Sequence, residues 1–223
     1  MAEERIIILG AGSQASVVLD VLQSAGHADR VEGFIDYCDQ GALVGSERDD
    51  LPVVGTLAEL PDLYARGVRL AALAAGSPLM REKLLQQALN IGFGLISVIH
   101  PSAVIGSRVQ LGRAVNICAN AVIATGCHVG QGCIVNTGAT IDHHGQIGDF
   151  SLIGPGVHVG GNVTVGDYAW LGIGCSVIQG VSIGSASYIG AGAAVVEDIP
   201  PRVLAFGVPA RVQRPYDLSE CDL

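Results

Sequence analysis

The chain is poor in aromatic side chains, with five Tyr, four Phe and one Trp in 223 residues, which excludes a core built mainly on packed rings. Charge is scarce as well. Only 15% of residues are charged, and 12 basic against 21 acidic side chains leave a net charge of −9. Nucleic acid and anionic membrane surfaces are excluded as main partners, because both need a basic footprint. No stretch approaches the roughly 18 apolar residues of a membrane span, and Met1-Ala2-Glu3-Glu4-Arg5 lacks the basic start and long apolar segment of a secretory leader. The expectation is a cytoplasmic protein acting on small molecules. Six cysteines, at 38, 118, 127, 133, 175 and 221, form no C-x-x-C pair, so neither a zinc site nor a disulfide framework is expected and the thiols are read as reduced. Lys and Arg are absent between Ala114 and Val196.

Glycine, by contrast, is abundant, at 31 residues, and 49% of the chain is hydrophobic. Steps of six from Ile105 meet Leu111, Ile117, Ile123, Val129, Val135, Ile141, Ile147, Ile153, Val159, Val165, Leu171, Val177, Ile183, Ile189 and Val195, sixteen aliphatic residues in succession. A second row two places earlier is small, as at Ala103, Cys127, Cys133, Ala139, Cys175 and Ala193. Glycine follows the aliphatic residue in ten of the sixteen hexads, suggesting tight corners where other residues are strained. Three six-residue sides make one coil per 18 residues, so the repeat predicts about five coils of a β-solenoid around a narrow aliphatic core. The cysteines of the small row are expected to pack as small hydrophobes.

Ahead of the repeat, Arg5–Leu9 reads as a buried strand, Gly10-Ala11-Gly12-Ser13-Gln14-Ala15 as a glycine turn, and Val17, Val18, Val21 and Leu22 as one face of a helix. Val31–Asp36 reads as a second strand ending in a carboxylate, at a spacing that suits a nucleotide. A third strand over Arg69–Ala75 precedes Gly76 and a helix from Pro78 to about Asn90, and Gly94–Ile99 leads into the coils. The expected organisation is a Rossmann-like α/β domain over 1–98, the β-solenoid over 99–199 and a tail over 200–223. The α/β part is too short for a dinucleotide, and a mononucleotide or nucleotide-sugar is expected at the helix N-terminus.

The hexads, together with the ending Gly207-Val208-Pro209-Ala210-Arg211, resemble the hexapeptide-repeat acyltransferases, which fold as left-handed parallel β-helices. The pairing with an α/β domain extends the resemblance to nearly the whole chain. It points to bacterial acetyltransferases of nucleotide-linked amino sugars and their sialic-acid O-acetyltransferase relatives. The resemblance implies acetyl-coenzyme A as donor, a nucleotide-linked amino sugar as acceptor, no metal, and a homotrimer with active sites between subunits. Asn136-Thr137-Gly138-Ala139-Thr140-Ile141-Asp142-His143-His144 is similar to the family's catalytic stretch, which makes His143 the general base. His144 stands where the family carries an acidic orienting residue, leaving Asp142, a carboxylate elsewhere or His144 itself to orient the ring. Ser13, Gln14 and Ala15 stand where the family reads glycine-histidine-glycine.

Substrate contacts are accordingly expected at Gly12, Ser13, Gln14, Asp36, Tyr37 and Gly76. Ile173, Ala191 and Leu152 fall where the family lines its coenzyme A groove, Leu152 replacing a histidine of some members. Arg211, with Arg202 and Arg214, is expected to meet the coenzyme A phosphates. His128 and His158 are read as solvated surface histidines. The alternatives are O-acetylation of a sugar hydroxyl and an inactive nucleotide-sugar-binding scaffold. A zinc hydratase resembling the gamma carbonic anhydrases fails on spacing: His128, His143 and His158 lie 15 apart, whereas stacking on one face needs multiples of 18.

Overall fold

The computed structural model describes residues 4–38 and 41–221. Met1–Glu3 of the leader argument and the thiol of Cys221 lie outside the described parts.

The α/β part runs β1 (Arg5–Leu9), α1 (Ser13–Ser24), β2 (Val31–Asp36), β3 (Glu47–Arg48), β4 (Leu51–Thr56), α2 (Leu60–Ala65), β5 (Val68–Leu73), α3 (Pro78–Ile91) and β6 (Gly94–Leu95). The sheet order is β3-β4-β2-β1-β5-β6. All neighbours are parallel except the β3–β4 hairpin. β1 is buried because its Ile6, Ile7, Ile8 and Leu9 are covered on both faces, one of them by the Ala15, Val18, Leu19 and Leu22 stripe of α1. Gly10 between β1 and α1 is obligatory: its φ is +138° and a Cβ would stand 2.2 Å from the Ala74 carbonyl oxygen. The first helix therefore starts where the two central strands end. α3 is fixed at both termini, by Ser77 Oγ accepting the Met80 N–H and by Gly92 in the left-handed conformation. The sequence reading missed β4 and α2, and the third strand begins and ends earlier than expected.

From Val98 onwards the hexads build a three-faced parallel β-helix. The first face carries strands at 98–99, 116–117, 134–135, 152–153, 170–171 and 188–189, the second starts at 104–105 and the third at 110–111. Each strand pairs with the one 18 residues on, as Thr140 with His158 and His128 with Gln146. The aliphatic row and the small row fill one continuous core, with Ile117, Ile123, Val129, Val135, Ile141 and Ile153 completely buried.

The corner glycines have a different cause from the one the repeat suggested. Those directly after the aliphatic residue avoid contact with the next coil: a Cβ on Gly112 would lie 2.4 Å from the Gln131 nitrogen, and one on Gly130 2.7 Å from the Asp149 nitrogen. The left-handed backbone instead comes two places later. Arg108, Ala114, Asn120, His144, Phe150, Asn162, Tyr168 and Ala186 all sit there with φ of 54–59° despite carrying side chains. His144 is thus held at a corner whose backbone is set by the coil, not by its own preference.

The two parts are clamped together. Arg81 on α3 is fully buried and donates to the carbonyls of Ala75 and Gly76 on one side and of Gly132 and Phe150 on the other. Asn116 Nδ2 donates to the Leu73 carbonyl at 2.9 Å, and Ala114 and Phe150 join the core of the α/β part. The first face is also extended by Val203–Phe206 and then, after a cis Val208–Pro209 bond, by Arg211–Pro215 running antiparallel. Tyr216 follows that strand and closes a column of rings over Tyr188 and Trp170. Among the described residues, no helix is long and apolar enough to cross a membrane.

Candidate active site

The corner between the second and third faces carries Asp142, His143 and His144, all exposed. Two glycines give the rings their room. The His143 ring lies over Gly161 one coil on, where a Cβ would meet its Nε2 at 2.6 Å. The His144 ring lies over Gly126 one coil back, where a Cβ would meet its Cδ2 at 2.9 Å. The rings meet edge to face, with Nδ1 of His143 3.2 Å from Nδ1 of His144. One of these nitrogens must donate and the other accept, which leaves Nε2 of His143 outside the pair. Asp142 does not touch the rings: its Oδ1 accepts the His143 backbone N–H at 2.7 Å, and its carbonyl accepts Cys127 Sγ–H. Of the orienters the sequence left open, His144 is the one hydrogen-bonded to the His143 ring.

A cleft of about 360 Å³ opens on the second face beside this corner, lined by Val122, Thr140, Asp142, His158, Val177 and Ile178 among others. His158, read from the sequence as an ordinary surface histidine, is exposed but lines this cleft and is hydrogen-bonded through Nδ1 to Thr140 Oγ1 at 2.9 Å. Its signal was the 18-residue step that stacks it on Thr140 and under Ser176. A second cleft, of about 240 Å³, lies on the third face between His128, Gln146, Thr164 and Asp167. The histidine corner thus stands between two depressions, of which the second-face one is the more apolar.

The other expected residues are dispersed. Ile173 and Ala191 stack on the corner between the first and second faces, with Ile173 63% exposed. Leu152 does not join them: it lies on the outward side of the first face, buried between Ile134 and Trp170 and outside the solenoid core formed by Ile153 and its row. Arg211 is ion-paired with Glu197, and Arg214 holds Glu220 with both oxygens engaged. These arginines are exposed ion pairs worth little in stability, so an incoming anion can replace either carboxylate. Burial pushes Cys133 and Cys175 up to about 12 and Cys118 up to about 11. None of these thiols is a thiolate near neutral pH, which fits the structural role read from their small row.

In the α/β part, Gly12 caps α1 with no side chain on its exposed N–H groups and no acidic residue in the first turn. Ser13 and Gln14 follow, and Gln14 Nε2 is buried without a hydrogen-bond partner. Gly76 lies at the end of β5 with open space where a Cβ would be. Asp36 departs from the expected role. It is 3% exposed, and its two oxygens accept the N–H groups of Cys38 and Leu43 at 3.0 and 3.1 Å. Burial pushes this carboxyl up, but the two amides outweigh it and hold it below the usual value. Asp36 therefore fixes the loop after β2, and only the remaining lone pairs of its oxygens are left for a ligand. Beyond it, Tyr37, Cys38, Thr56, Leu57, Lys83 and Gln87 line a cavity of about 240 Å³. Lys83, the single lysine of the sequence, and Gln87 were missed because α3 was read only as an amphipathic packing helix.

Comparison with known proteins agrees with this architecture. The PglD N-terminal domain family matches residues 5–88. PerB from Caulobacter crescentus, solved with CoA and GDP-perosamine, is 38% identical with a TM-score of 0.89, covering 96% of this chain and 99% of that one. The chain belongs to the hexapeptide-repeat sugar N-acetyltransferases. The acetyltransferase domain of PglB from Neisseria gonorrhoeae, in complex with acetyl coenzyme A, is 30% identical with a TM-score of 0.86 over 95% of this chain and 100% of that domain. No curated protein sequence matches the chain. The solenoid is the left-handed β-helix of this N-acetyltransferase family, as the resemblance implied. Among the described residues, no group of three His, Cys, Asp or Glu side chains is placed to hold a metal ion.

Proposed function

We propose that the protein moves the acetyl group of acetyl-coenzyme A directly onto the amino group of a nucleotide-linked amino sugar, with His143 as general base. The observation that carries this is the Nδ1–Nδ1 contact of 3.2 Å between His143 and His144. It fixes the His143 ring and turns its Nε2 away from the pair. The sugar amine gives a proton to Nε2 while its lone pair attacks the thioester carbon. The tetrahedral oxyanion is held by backbone N–H groups and collapses with cleavage of the C–S bond, and the proton on Nε2 passes to the departing thiolate. No acyl-enzyme is needed. The chemistry matches the class to which the CoA and GDP-perosamine complex of the C. crescentus enzyme belongs.

The second-face cleft, with Val122, Val177 and Ile178 on its walls, suits the pantetheine arm, and Arg211 suits the phosphates at its far end. For the acceptor, the start of α1, which no side chain caps, and the unpartnered Gln14 Nε2 suit a diphosphate, since both supply donors and neither is met by a side-chain acceptor. In this reading Gly12, Ser13, Gln14 and Gly76 face the acceptor. The working unit is a homotrimer whose neighbouring subunit completes each site. A reaction between two such cosubstrates belongs in the cytoplasm.

The test offers acetyl-coenzyme A with a panel of nucleotide amino sugars and hydroxyl-only analogues and follows acetyl gain by mass spectrometry. Amino acceptors are expected to react. The His143→Ala variant is expected to lose on the order of 10²–10⁴-fold in kcat, with little change in the KM of acetyl-coenzyme A. Acetylation confined to hydroxyl acceptors, or an unimpaired variant, overturns the proposal.

A further inference from the structure

Arg81 has no exposed surface at all. Taking a cation out of water is expensive, and adhesion between the two parts does not require it: Ala114 and Phe150 of the solenoid already pack into the core of the α/β part. Apolar adhesion is non-directional. What a guanidinium adds is angle, because its donors lie in one rigid plane. On the solenoid side, Nε donates to the Gly132 carbonyl at 2.7 Å and Nη2 to that of Phe150, two carbonyls one coil apart on the same corner. On the other side, Nη1 donates to the carbonyls of Ala75 and Gly76, in the turn from β5 into α3. The Asn116 bond to the Leu73 carbonyl is a single point, about which two bodies can still swing. Arg81 removes that freedom.

Both ends of this grip bear on the reaction proposed above, on which the inference rests. Gly76 is one of the residues that face the acceptor in that reading. Phe150 belongs to the coil that carries His143: after the His144 corner the chain runs one straight side, with Gln146–Ile147 as its strand, and turns again at Phe150. That side does not flex by itself, since Gln146 pairs with His128 in the preceding coil and with Thr164 in the next. We infer that Arg81 is a positioning residue for acetyl transfer, fixing the angle between the acceptor-holding α/β part and the solenoid that carries the base. It touches neither substrate. It acts through the Ala75–Gly76 turn on one side and the Phe150 corner on the other.

The test compares the unmodified protein with Arg81→Lys, which keeps the charge but replaces the planar fork by three donors on one nitrogen. Steady-state kinetics with acetyl-coenzyme A and a reactive nucleotide amino sugar are read beside calorimetric titrations of coenzyme A and of the parent nucleoside diphosphate. Neither binding site spans the joint, so both KM values and both affinities should stay within about three-fold while kcat falls on the order of 100-fold, the cost of a misplacement of about 1 Å. A purely structural Arg81 predicts the opposite pattern, a lower melting temperature with kcat per folded protein unchanged. Gly132→Ala covers the case in which Arg81→Lys does not fold. It leaves Arg81 in place, but its Cβ would stand 2.5 Å from the Phe150 ring, spreading the two coil corners that Arg81 grips, so kcat should fall about ten-fold with the same unchanged affinities. Unchanged kcat in Arg81→Lys, or in Gly132→Ala where Arg81→Lys does not fold, overturns the inference, as does a loss of kcat matched by an equal loss of both affinities. These results, obtained beside an active unmodified protein, leave the proposed function standing. If the unmodified protein acetylates no nucleotide amino sugar, both fall.

Discussion

At the scale of single residues the unusual feature is that His143, the proposed base, meets a second imidazole where the resemblance led one to expect a carboxylate. A carboxylate orients a histidine and also stabilises the imidazolium that forms in the transition state. An imidazole does the first and does little of the second, so in the proposed mechanism His144 is a positioning residue that acts through Nδ1. Its removal should then be partly repaired by any side chain that offers a hydrogen-bonding group at the same place. His144→Asn is expected to retain most of kcat, and His144→Ala to lose roughly ten-fold, the order of one hydrogen bond, with the KM of both substrates unchanged in each. His144→Asp should shift the acid limb of the kcat profile upwards, because a negative charge beside His143 favours its protonated form. Equal kcat values and superimposable pH profiles for the three variants would remove His144 from the mechanism. Asn and Asp are also well tolerated in the left-handed conformation that His144 occupies at φ 58°, which keeps backbone strain out of the comparison of those two variants with the unmodified protein.

At the scale of elements, the solenoid was legible because its period is enforced by packing: each inward aliphatic residue has neighbours 18 residues before and after it. The same argument could not give the cause of the corner glycines, since absence of a Cβ and left-handed backbone leave the same letter in the sequence. Only the coil-to-coil distance separates them. Gly112→Ala should therefore cost about 1–3 kcal/mol as an overpacking substitution, its Cβ meeting backbone atoms of Gln131 and Gly130 that have no rotamer to change. Arg108→Gly, at φ 59° on an exposed corner, should stay within about 1 kcal/mol of the unmodified protein, because relief of the left-handed strain and the gain in unfolded-chain freedom oppose each other. Urea denaturation of the two variants measures both, and a reversed order would refute the assignment of the two glycine roles. In the α/β part, β4 was hidden by Pro52 and Gly55, which argue against a strand. Pro52 is tolerated because β4 meets only a two-residue hairpin strand on that side. The corner at Asp142, His143 and His144 was singled out through the resemblance alone. The cavity residues Lys83 and Gln87 were not, since nothing in a helix pattern says which of its polar residues line a cavity.

At the scale of the whole molecule, the second face leaves apolar surface uncovered. Val104 is 57% exposed, and Ile178 and Val196 stack in the column above Asp142 at 44% and 43%. Ile173 adds 63% on the adjoining corner. A corner of one subunit laid against the second face of the next is a heterologous contact, and with threefold rotation it closes into a ring. Such a ring covers the apolar column, gives the second-face cleft its missing wall and sets the Ile173–Ala191 corner of one subunit facing the His143 corner of its neighbour. The arrangement is open to a complementation test. His143→Ala removes the base, and Ile173→Arg, at an exposed position, obstructs the groove without disturbing the core, so each variant alone should be nearly inactive. Subunits of the two kinds assembled together in equal amounts pair an intact base with an intact groove at about a quarter of random heterologous interfaces. The mixture is therefore expected to regain about a quarter of the unmodified activity at the same acetyl-coenzyme A concentration. Light scattering should give three times the 22.9 kDa chain mass for both variants and for the mixture. Mixed trimers of that mass without recovered activity would mean that each chain carries its own base and its own groove, and that the uncovered apolar column meets its neighbour away from the catalytic corner.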